Sequence, residues 1–472
     1  FLFLKRKCKI FLKGLTPADT QGIDPKNANS LVLCFRDCII ERYLIILSYM
    51  ETNIKQLLRQ IVESWQASEL PAICDRETDL MDYFDPNLRK IICVTGFRRT
   101  GKTFSLFNFA RKYGKDNCVY FNCEDERLPK ETFVLTQLVE VLGEMYGQKP
   151  LFLLVDEIQE IPDWSRWARR INETSRYRLI LSGSSSKLSS AEIPTELRGR
   201  TVSVQMFPLN WREYLKFKKI DFEKTPLEQK LYLLRDFLNF GGLPEIVLAQ
   251  EGLRPMLLDD YYQTFVQRDI IGRERIRNKN ALRDLLKLVL NSRFFTYSKF
   301  AASLKSLGHK IGKTTVIDYL RAAQNAYFVF ILETGSPSVK KRLQSAKKIY
   351  SADTYFSARY GGVFSRNIGH LMEQAVCLEF LRRRAHDGIL EVFFWKDYRE
   401  REVDFLAMEN GQTMGLYQIT YAETMAELPP REIDSLLAAA KIFSCGNLMV
   451  VTWGLEAEIE KDGQKIKFVP LS

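Results

Sequence analysis

The sequence predicts an α/β protein: a mostly parallel sheet in its first half, helical units after it, and a second α/β unit at the end. Three observations predict this. From about residue 85 to 205, the runs "KIICVTG", "NCVYFNC", "LFLLVDE" and "YRLILSGSS" are apolar on consecutive positions and alternate with helical patterns. Strands covered on both faces read this way, and strands joined through helices form parallel sheets. The first run passes through "GFRRTGKT" directly into the helical pattern "TFSLFNFARKY". After about residue 365, one long helical stretch precedes "LEVFFW", "EVDFLAM", "GLYQIT" and "NLMVVTW", each readable as a strand.

The chain has 472 residues, enough for two to four domains. Its most apolar segment, "LVLCFRDCIIERYLIILSYM", is cut by Arg36, Asp37, Glu41 and Arg42, which predicts no membrane span. "FLFLKRK" sets apolar residues before basic ones, the reverse of a secretory signal. The nine cysteines show no paired metal-ligand spacing, so reduced thiols and a cytoplasmic location are expected. Residues 1–49 are basic and aperiodic, whereas "METNIKQLLRQIVESW" places Ile54, Leu57, Leu58 and Ile61 on one helical face. Met50 is therefore the expected start, and 1–49 an upstream or non-native extension.

Gly96-Phe97-Arg98-Arg99-Thr100-Gly101-Lys102-Thr103 fits the phosphate-binding pattern G-x-x-x-x-G-K-[ST], in the strand–loop–helix context the pattern requires. Glycines let backbone N–H groups wrap phosphates at a helix N-terminus. Lys102 would neutralise the β and γ oxygens, and the Thr103 hydroxyl would ligate Mg²⁺. Arg98 and Arg99 add charge near the phosphates or face a neighbouring acid; Thr100 and Phe104 complete the predicted nucleotide contacts. About fifty residues on, "LFLLVDE" ends an apolar strand in Asp156, a second Mg²⁺ residue through water, and Glu157, a general base for the attacking water. Ser182, Ser184 or Ser185, ending the next strand, would sense the γ-phosphate or merely form a Ser-Gly turn. Arg198 and Arg200 in "ELRGR" are candidates for an arginine finger, or are solvated loop residues.

In this order, "VTGFRRTGKT", "LFLLVDEIQEIPDW", "LILSGSSSKLSS…ELRGR", "FPLNWREYL" and "GGLPE" resemble the prokaryotic AAA-like ATPases of the archaeal-type, STAND-related group. The resemblance covers roughly Arg89 to Glu245. It implies an ASCE-type sheet with a glutamate beside the Mg²⁺ aspartate. It also implies that Gly242-Leu243-Pro244 packs on the nucleotide, with Pro244 the contacting residue; read plainly, "GGLPE" is a Gly-Pro turn. The expected units are a P-loop AAA-like domain over 50–208, a helical lid over 209–278, a winged helix over 279–352, and a C-terminal unit over 353–472.

Charge marks the winged helix. The net charge is +11, yet from Arg275 to Lys348 sixteen Lys or Arg stand against three acids, so this one segment carries the whole surplus. Phe300, Leu304 and Leu307 mark a first helix and Val316, Ile317 and Leu320 a second, with "LGHKIGK" between them and the strand "YFVFILE" after. The second helix would present Lys313, Thr314, Thr315 and Arg321, with Lys310 before it. "GSPSVKKRLQSAKK" would form a basic wing carrying Lys340, Lys341 and Arg342. One reading is phosphate contact with double-stranded DNA; the other is a packing lever with a solvated face.

Relatives of this group that carry a C-terminal domain of unknown function resemble, in that part, the restriction-endonuclease-like fold. The resemblance places Glu373 at the helical acid and Asp404 at the strand acid, and puts Gln418 and Thr420 where an acid-x-Lys pair would stand. Without that acid and lysine, metal binding is weak and the nucleophile unassisted. A degenerate nuclease-like unit follows, able to bind nucleic acid or a protein partner; alternatively Glu373 and Asp404 are a structural pair. The leading expectation is thus an ATP- and Mg²⁺-dependent ATPase coupled to DNA. A nucleotide-gated protein-interaction switch is the alternative, and an active nuclease ranks last. No residue pattern fixes the oligomeric state.

Overall fold

The computed structural model describes residues 52–184, 188, 195–274, 276–336, 338–362 and 367–472. The extension expected at 1–49 and Ser185 lie outside these. Residues 52–67 form the first helix, and it buries Ile54, Leu58, Val62 and Trp65 against the first sheet. Leu57 and Ile61, on the same predicted stripe, are partly buried there.

The first sheet contains β1 (Ile91–Thr95), β2 (Cys118–Asn122), β3 (Phe152–Asp156), β4 (Arg178–Ser182) and β5 (Thr201–Gln205). All pairings are parallel, in the order β2-β3-β4-β1-β5. Strands β1 to β4 are those the apolar runs predict. β5 is unpredicted because it is an edge strand whose residues are mostly half-exposed, so its sequence "TVSVQ" lacks a continuous apolar run. Helices Lys102–Tyr113, Thr132–Tyr146 and Trp164–Thr174 connect the strands. β4 separates β1 from β3, so the loop after β1 and the acids after β3 flank the end of β4. Ligands in open α/β sheets sit at these carboxyl ends.

Helices Trp211–Phe217, Leu227–Phe240, Pro244–Leu248 and Arg254–Thr264 follow, and the last runs on as a π-helical turn over Phe265–Ile271. Next comes a three-stranded antiparallel sheet, order β6-β8-β7, of β6 (Phe294–Phe295), β7 (Val329–Leu332) and β8 (Lys347–Ser351). Helices Tyr297–Ser306 and Lys313–Asn325 lie between β6 and β7. The wing expected as a basic loop is different: a short helix, Val339–Gln344, stands between β7 and β8. The run "VKKRLQ" holds no glycine or proline to break a helix, whereas "GSPS" before it does.

Helix Ile368–Asp387 leads into a six-stranded sheet, order β13-β14-β12-β11-β10-β9. Its strands are β9 (Leu390–Lys396), β10 (Glu402–Glu409), β11 (Gln412–Ile419), β12 (Leu448–Thr452), β13 (Ala457–Lys461) and β14 (Gln464–Pro470). β9, β10 and β11 form an antiparallel meander; β11, β12 and β14 are parallel; helix Pro430–Phe443 crosses between β11 and β12. β13, at the edge, and β14 beside it carry no continuous apolar run, because both alternate polar and apolar residues with one face solvated.

Apolar packing is shared along the chain. Phe97 of the phosphate loop lies in one cluster with Leu243, Phe265, Phe328 and Phe356. Phe207, Leu234 and Phe237 lie in another with Tyr350, Phe405 and Trp453. A side chain of this size contributes about 1.5–3 kcal/mol when fully buried, so the loop and both distal sheets are tied by several such contributions.

Candidate functional site

The loop after β1 takes its shape from two glycines. Gly96 has φ 137° and Gly101 φ 96°, values that favour glycine. At Gly96 a Cβ would also collide with the carbonyl of Met206. Gly101 caps helix Lys102–Tyr113, so the helix N-terminus opens into the loop. The buried Lys102 Nζ donates to the Gly96 and Phe97 carbonyls, 3.1 Å each. Burial pulls its pKa down, while Glu157 and Asp156 oppose that shift. Thr100 is fully buried, its hydroxyl bonded to Phe97 O at 2.8 Å. Phe104, one turn along, is 49% exposed.

The Thr103 hydroxyl donates to Asp156 Oδ2 at 2.6 Å, and Tyr120 OH donates to the same oxygen at 2.9 Å. Ser182 Oγ donates to Asp156 Oδ1. Asp156 is thus a buried carboxylate ringed by hydroxyls, a hard oxygen set of the kind Mg²⁺ takes. Glu157 follows it in the left-handed region, φ 51°, which turns its carboxylate away from the strand. Burial pushes Glu157 up, but Lys102, the Gln159 amide, Arg98 and Arg273 together hold it below its ordinary value. It is therefore a carboxylate at neutral pH, the form a general base needs.

Ser184 sits 3.4 Å from Glu157 Oε2 and accepts from Arg273 Nη1 at 3.1 Å. Arg98 grips Asp269 of the π-helical turn with two bonds, 2.9 and 3.0 Å. Arg99 pairs with Glu245 at 3.3 Å and lies over the Tyr261 ring. Glu245 follows Pro244, the first residue of helix Pro244–Leu248, and Leu243 packs in the cluster that holds Phe97. The Gly-Leu-Pro element therefore lies against the loop.

Arg198 and Arg200 do not. Arg200 O accepts from Ile91 N, at the amino end of β1, and the Arg200 guanidinium pairs with Glu173 at 2.8 Å. The loop lies at the carboxyl end of β1, some four residues and roughly 13 Å away at strand rise. Neither residue reaches the site within this chain. The arginine found there is Arg273, unforeseen because its approach depends on the π-helical turn; the Asp269–Arg273 spacing of four was the one local signal.

The basic segment is less solvated than its composition suggests. Lys310, Lys313, Thr314 and Arg321 are exposed, Thr315 half-exposed, and Arg321 pairs with Asp318 at 3.3 Å. Lys340 is exposed, Arg342 half-buried 5.8 Å from the Phe393 ring, and the Lys341 side chain lies outside the described residues. Lys347 and Lys348, however, are buried in ion pairs.

Lys348 enters the C-terminal unit. Its Nζ lies 2.7 Å from Glu373, 2.8 Å from Glu402 and 2.8 Å from Asp404. Arg293 covers the same three acids at 3.0, 2.8 and 2.5 Å. Glu373 also accepts from Tyr350 OH at 2.6 Å. Burial pushes Glu373 up, but Lys348 and Arg293 outweigh it and hold the carboxyl well below its usual range; Glu402 is raised, chiefly by burial. The three carboxylates stand close enough to share one cation, and Lys348 supplies it. Gln418 Oε1 accepts from Asp404 N at 3.2 Å, and its amide donates to Glu432. Thr420 lies just past β11, its N–H bonded to Val451. Helix Ile368–Asp387 and β10 thus bring Glu373 and Asp404 together as expected. Glu402 was legible two residues before Asp404 on the same strand face; Lys348 and Arg293 come from another sheet and were not.

Comparison with known proteins fits this arrangement. Residues 88–215 match the sequence profile of an AAA domain. Residues 231–360 and 368–472 match two domains of unknown function, DUF8612 and DUF4143. The Methanocaldococcus jannaschii protein MJ1544 is 33% identical over 408 residues, which is 84% of this chain and 88% of that protein. The chain belongs to the family of MJ1544. A Haemophilus influenzae protein is 24% identical over 402 residues, covering 83% of this chain and 95% of its own. Among solved structures, a Walker-type ATPase of Pyrococcus abyssi aligns with a TM-score of 0.42 and 14% identity, over 59% of this chain and 93% of that one. With the AAA match and the parallel five-stranded sheet, the chain carries an AAA-like P-loop ATPase domain at residues 88–215. No helix among the described residues is long and apolar enough to cross a membrane.

Proposed function

We propose that the chain is a Mg²⁺-dependent ATPase that converts nucleotide state into a changed grip on double-stranded DNA. The observation that carries the hydrolytic part is one constellation: Lys102 under the loop, Thr103 bonded to Asp156 at 2.6 Å, and an ionised Glu157 beside them. Thr103 and Asp156 would hold Mg²⁺, which supplies charge neutralisation on the β and γ oxygens. Loop N–H groups and Lys102 bind the phosphates, Glu157 orients a water and takes its proton, and the Gly-Leu-Pro element with Pro244 follows the nucleotide through the contacts of its neighbours Leu243 and Glu245 with the loop. Glu157→Gln should cut steady-state hydrolysis at least about 10²-fold while leaving nucleotide binding intact. Lys102→Ala should lose both. Equal hydrolysis by wild type and Glu157→Gln would remove the proposal.

For DNA, the support is the helix pair before β7 with exposed Lys310 and Lys313, on the pattern of a winged helix. The meander, crossover helix and parallel strands of the C-terminal sheet fit a nuclease-like unit in which Gln418 and the buried Lys348 leave no metal-assisted cleavage. Replacing Lys310 and Lys313 by Ala should weaken duplex binding on all sequences alike and flatten the salt slope by about 2. Unchanged affinity would favour the second reading, a nucleotide-gated switch with a protein partner. The burial of Lys347 and Lys348, which takes two cations from the basic face, supports that reading.

A further inference from the structure

We infer that Arg273 is the arginine that contacts the γ-phosphate, so that each chain completes its own ATP site, with Asp269 as its positioning residue. This rests on the hydrolytic reading above. Helix Arg254–Thr264 and its π-helical turn cross the carboxyl ends of the first sheet. Arg268 comes within 3.9 Å of Glu124 after β2, and Arg273 within 3.5 Å of Glu160 after β3. Arg273 also bonds Ser184 after β4. This line of contacts runs past Glu157, where the terminal phosphate and the attacking water of a nucleotide seated on the loop would lie.

Two features fit Arg273 for that contact. First, its guanidinium shares Asp269 with the loop itself. Asp269 is buried, takes two bonds from Arg98, and stands 3.3 Å from Arg273 Nη1. One carboxylate thus holds the phosphate loop and the arginine in register. Second, Ser184 links Arg273 to the base. Its hydroxyl accepts from Arg273 and faces Glu157 Oε2 at 3.4 Å. Arg273 remains partly exposed, with an ordinary 3.1 Å bond to Ser184 and a long 3.5 Å contact with Glu160. A phosphate offers the guanidinium fork a charge-assisted, bidentate partner, which neither the Ser184 hydroxyl nor the single 3.5 Å contact with Glu160 provides.

In the reaction the water oxygen forms a bond to the γ-phosphorus and the bond to the β,γ-bridging oxygen breaks, giving ADP and inorganic phosphate. Glu157 takes the proton. Arg273 changes no bond; its donors meet the charge that spreads over the equatorial oxygens.

The test uses the full chain. Arg273→Ala should lower kcat about 10²-fold or more. Affinity for a fluorescent ADP, which has no γ-phosphate, should change less than about threefold, and the preference for a non-hydrolysable ATP over ADP should fall. Mixing Arg273→Ala with Glu157→Gln should restore nothing, because the two residues serve one site in one chain. Asp269→Asn should lower kcat with KM little changed. Arg273→Lys, which keeps the charge, covers the case of an unfolded alanine variant and should still lose kcat. Wild-type turnover by Arg273→Lys and Arg273→Ala, or recovery on mixing, would overturn the assignment. A wild type that binds ATP without hydrolysing it would sink the hydrolytic reading instead, and the ATP–ADP preference would still test the contact.

Discussion

Lys348→Met should cost the protein about 3–5 kcal/mol, read as a lower denaturant midpoint, because it strips a buried cation from three carboxylates. Methionine matches the length of the stem but not the charge. Lys348 is fully buried, with Nζ within 2.8 Å of Glu373, Glu402 and Asp404, and Arg293 alone would remain. The pH response should change sign. In the wild type Glu373 lies below its ordinary value, so its contribution is present at neutral pH and lost as pH falls through the folded pKa. Without Lys348, burial dominates, Glu373 rises above its unfolded value, and the variant should gain stability as pH falls. Adding Glu373→Gln should recover part of the loss at neutral pH. An unchanged midpoint in Lys348→Met would mean that Lys348 is not the counter-ion.

Gly241→Ala should cost about 2–5 kcal/mol, combining backbone strain with a displaced buried acceptor. Gly241 has φ 72°, and a Cβ there would collide with Asp353 Oδ1. Asp353 is fully buried. It accepts from Gly242 N at 2.8 Å and Tyr355 N at 2.9 Å, tying the Gly-Leu-Pro element to helix Thr354–Tyr360. Burial pushes its pKa from 3.8 up to about 6 against these N–H bonds. The folded protein therefore holds a proton between about 4 and 6 that the unfolded chain releases. The stability tied to Asp353 is greatest below that window and is lost as pH rises through it. Asp353→Asn should abolish that pH dependence, yet still destabilise, because its amide NH₂ must face one of the two backbone N–H groups. Denaturation midpoints between pH 4 and 7 for the three proteins check both statements; coincident pH slopes would refute them.

Much of the first domain was legible. Loop glycines, Lys102, Thr103 and the acids after "LFLLV" are local features, since each depends on a strand, a turn or a helix start within a few residues. Strands β1 to β4 were legible because burial of most of their residues writes itself as continuous apolar runs. β5, β13 and β14 were not, because half-exposed strands that mix polar with apolar residues share the composition of loops. Arg198 and Arg200 attracted notice as arginines in a loop, but a strand has two ends, and sequence does not show which end a loop returns to. The wing failed for a different reason: its charge suggested a solvated loop, while local propensity made a helix and packing buried the two lysines after it.

By itself, the sequence determined the phosphate loop, the acids that end β3, the parallel sheet and the succession of helical and mixed units. Those follow from short-range sterics and from periodic burial, which are written along the chain. Only the tertiary structure decided which charges meet. Asp269 meets Arg98 across 171 residues of chain while also holding Arg273, and Lys348 and Arg293 reach Glu373, Glu402 and Asp404 from a different sheet. Coulomb energy depends on distance and burial, not on separation in sequence. The same lysine is therefore a solvated cation by composition and a buried counter-ion by fold.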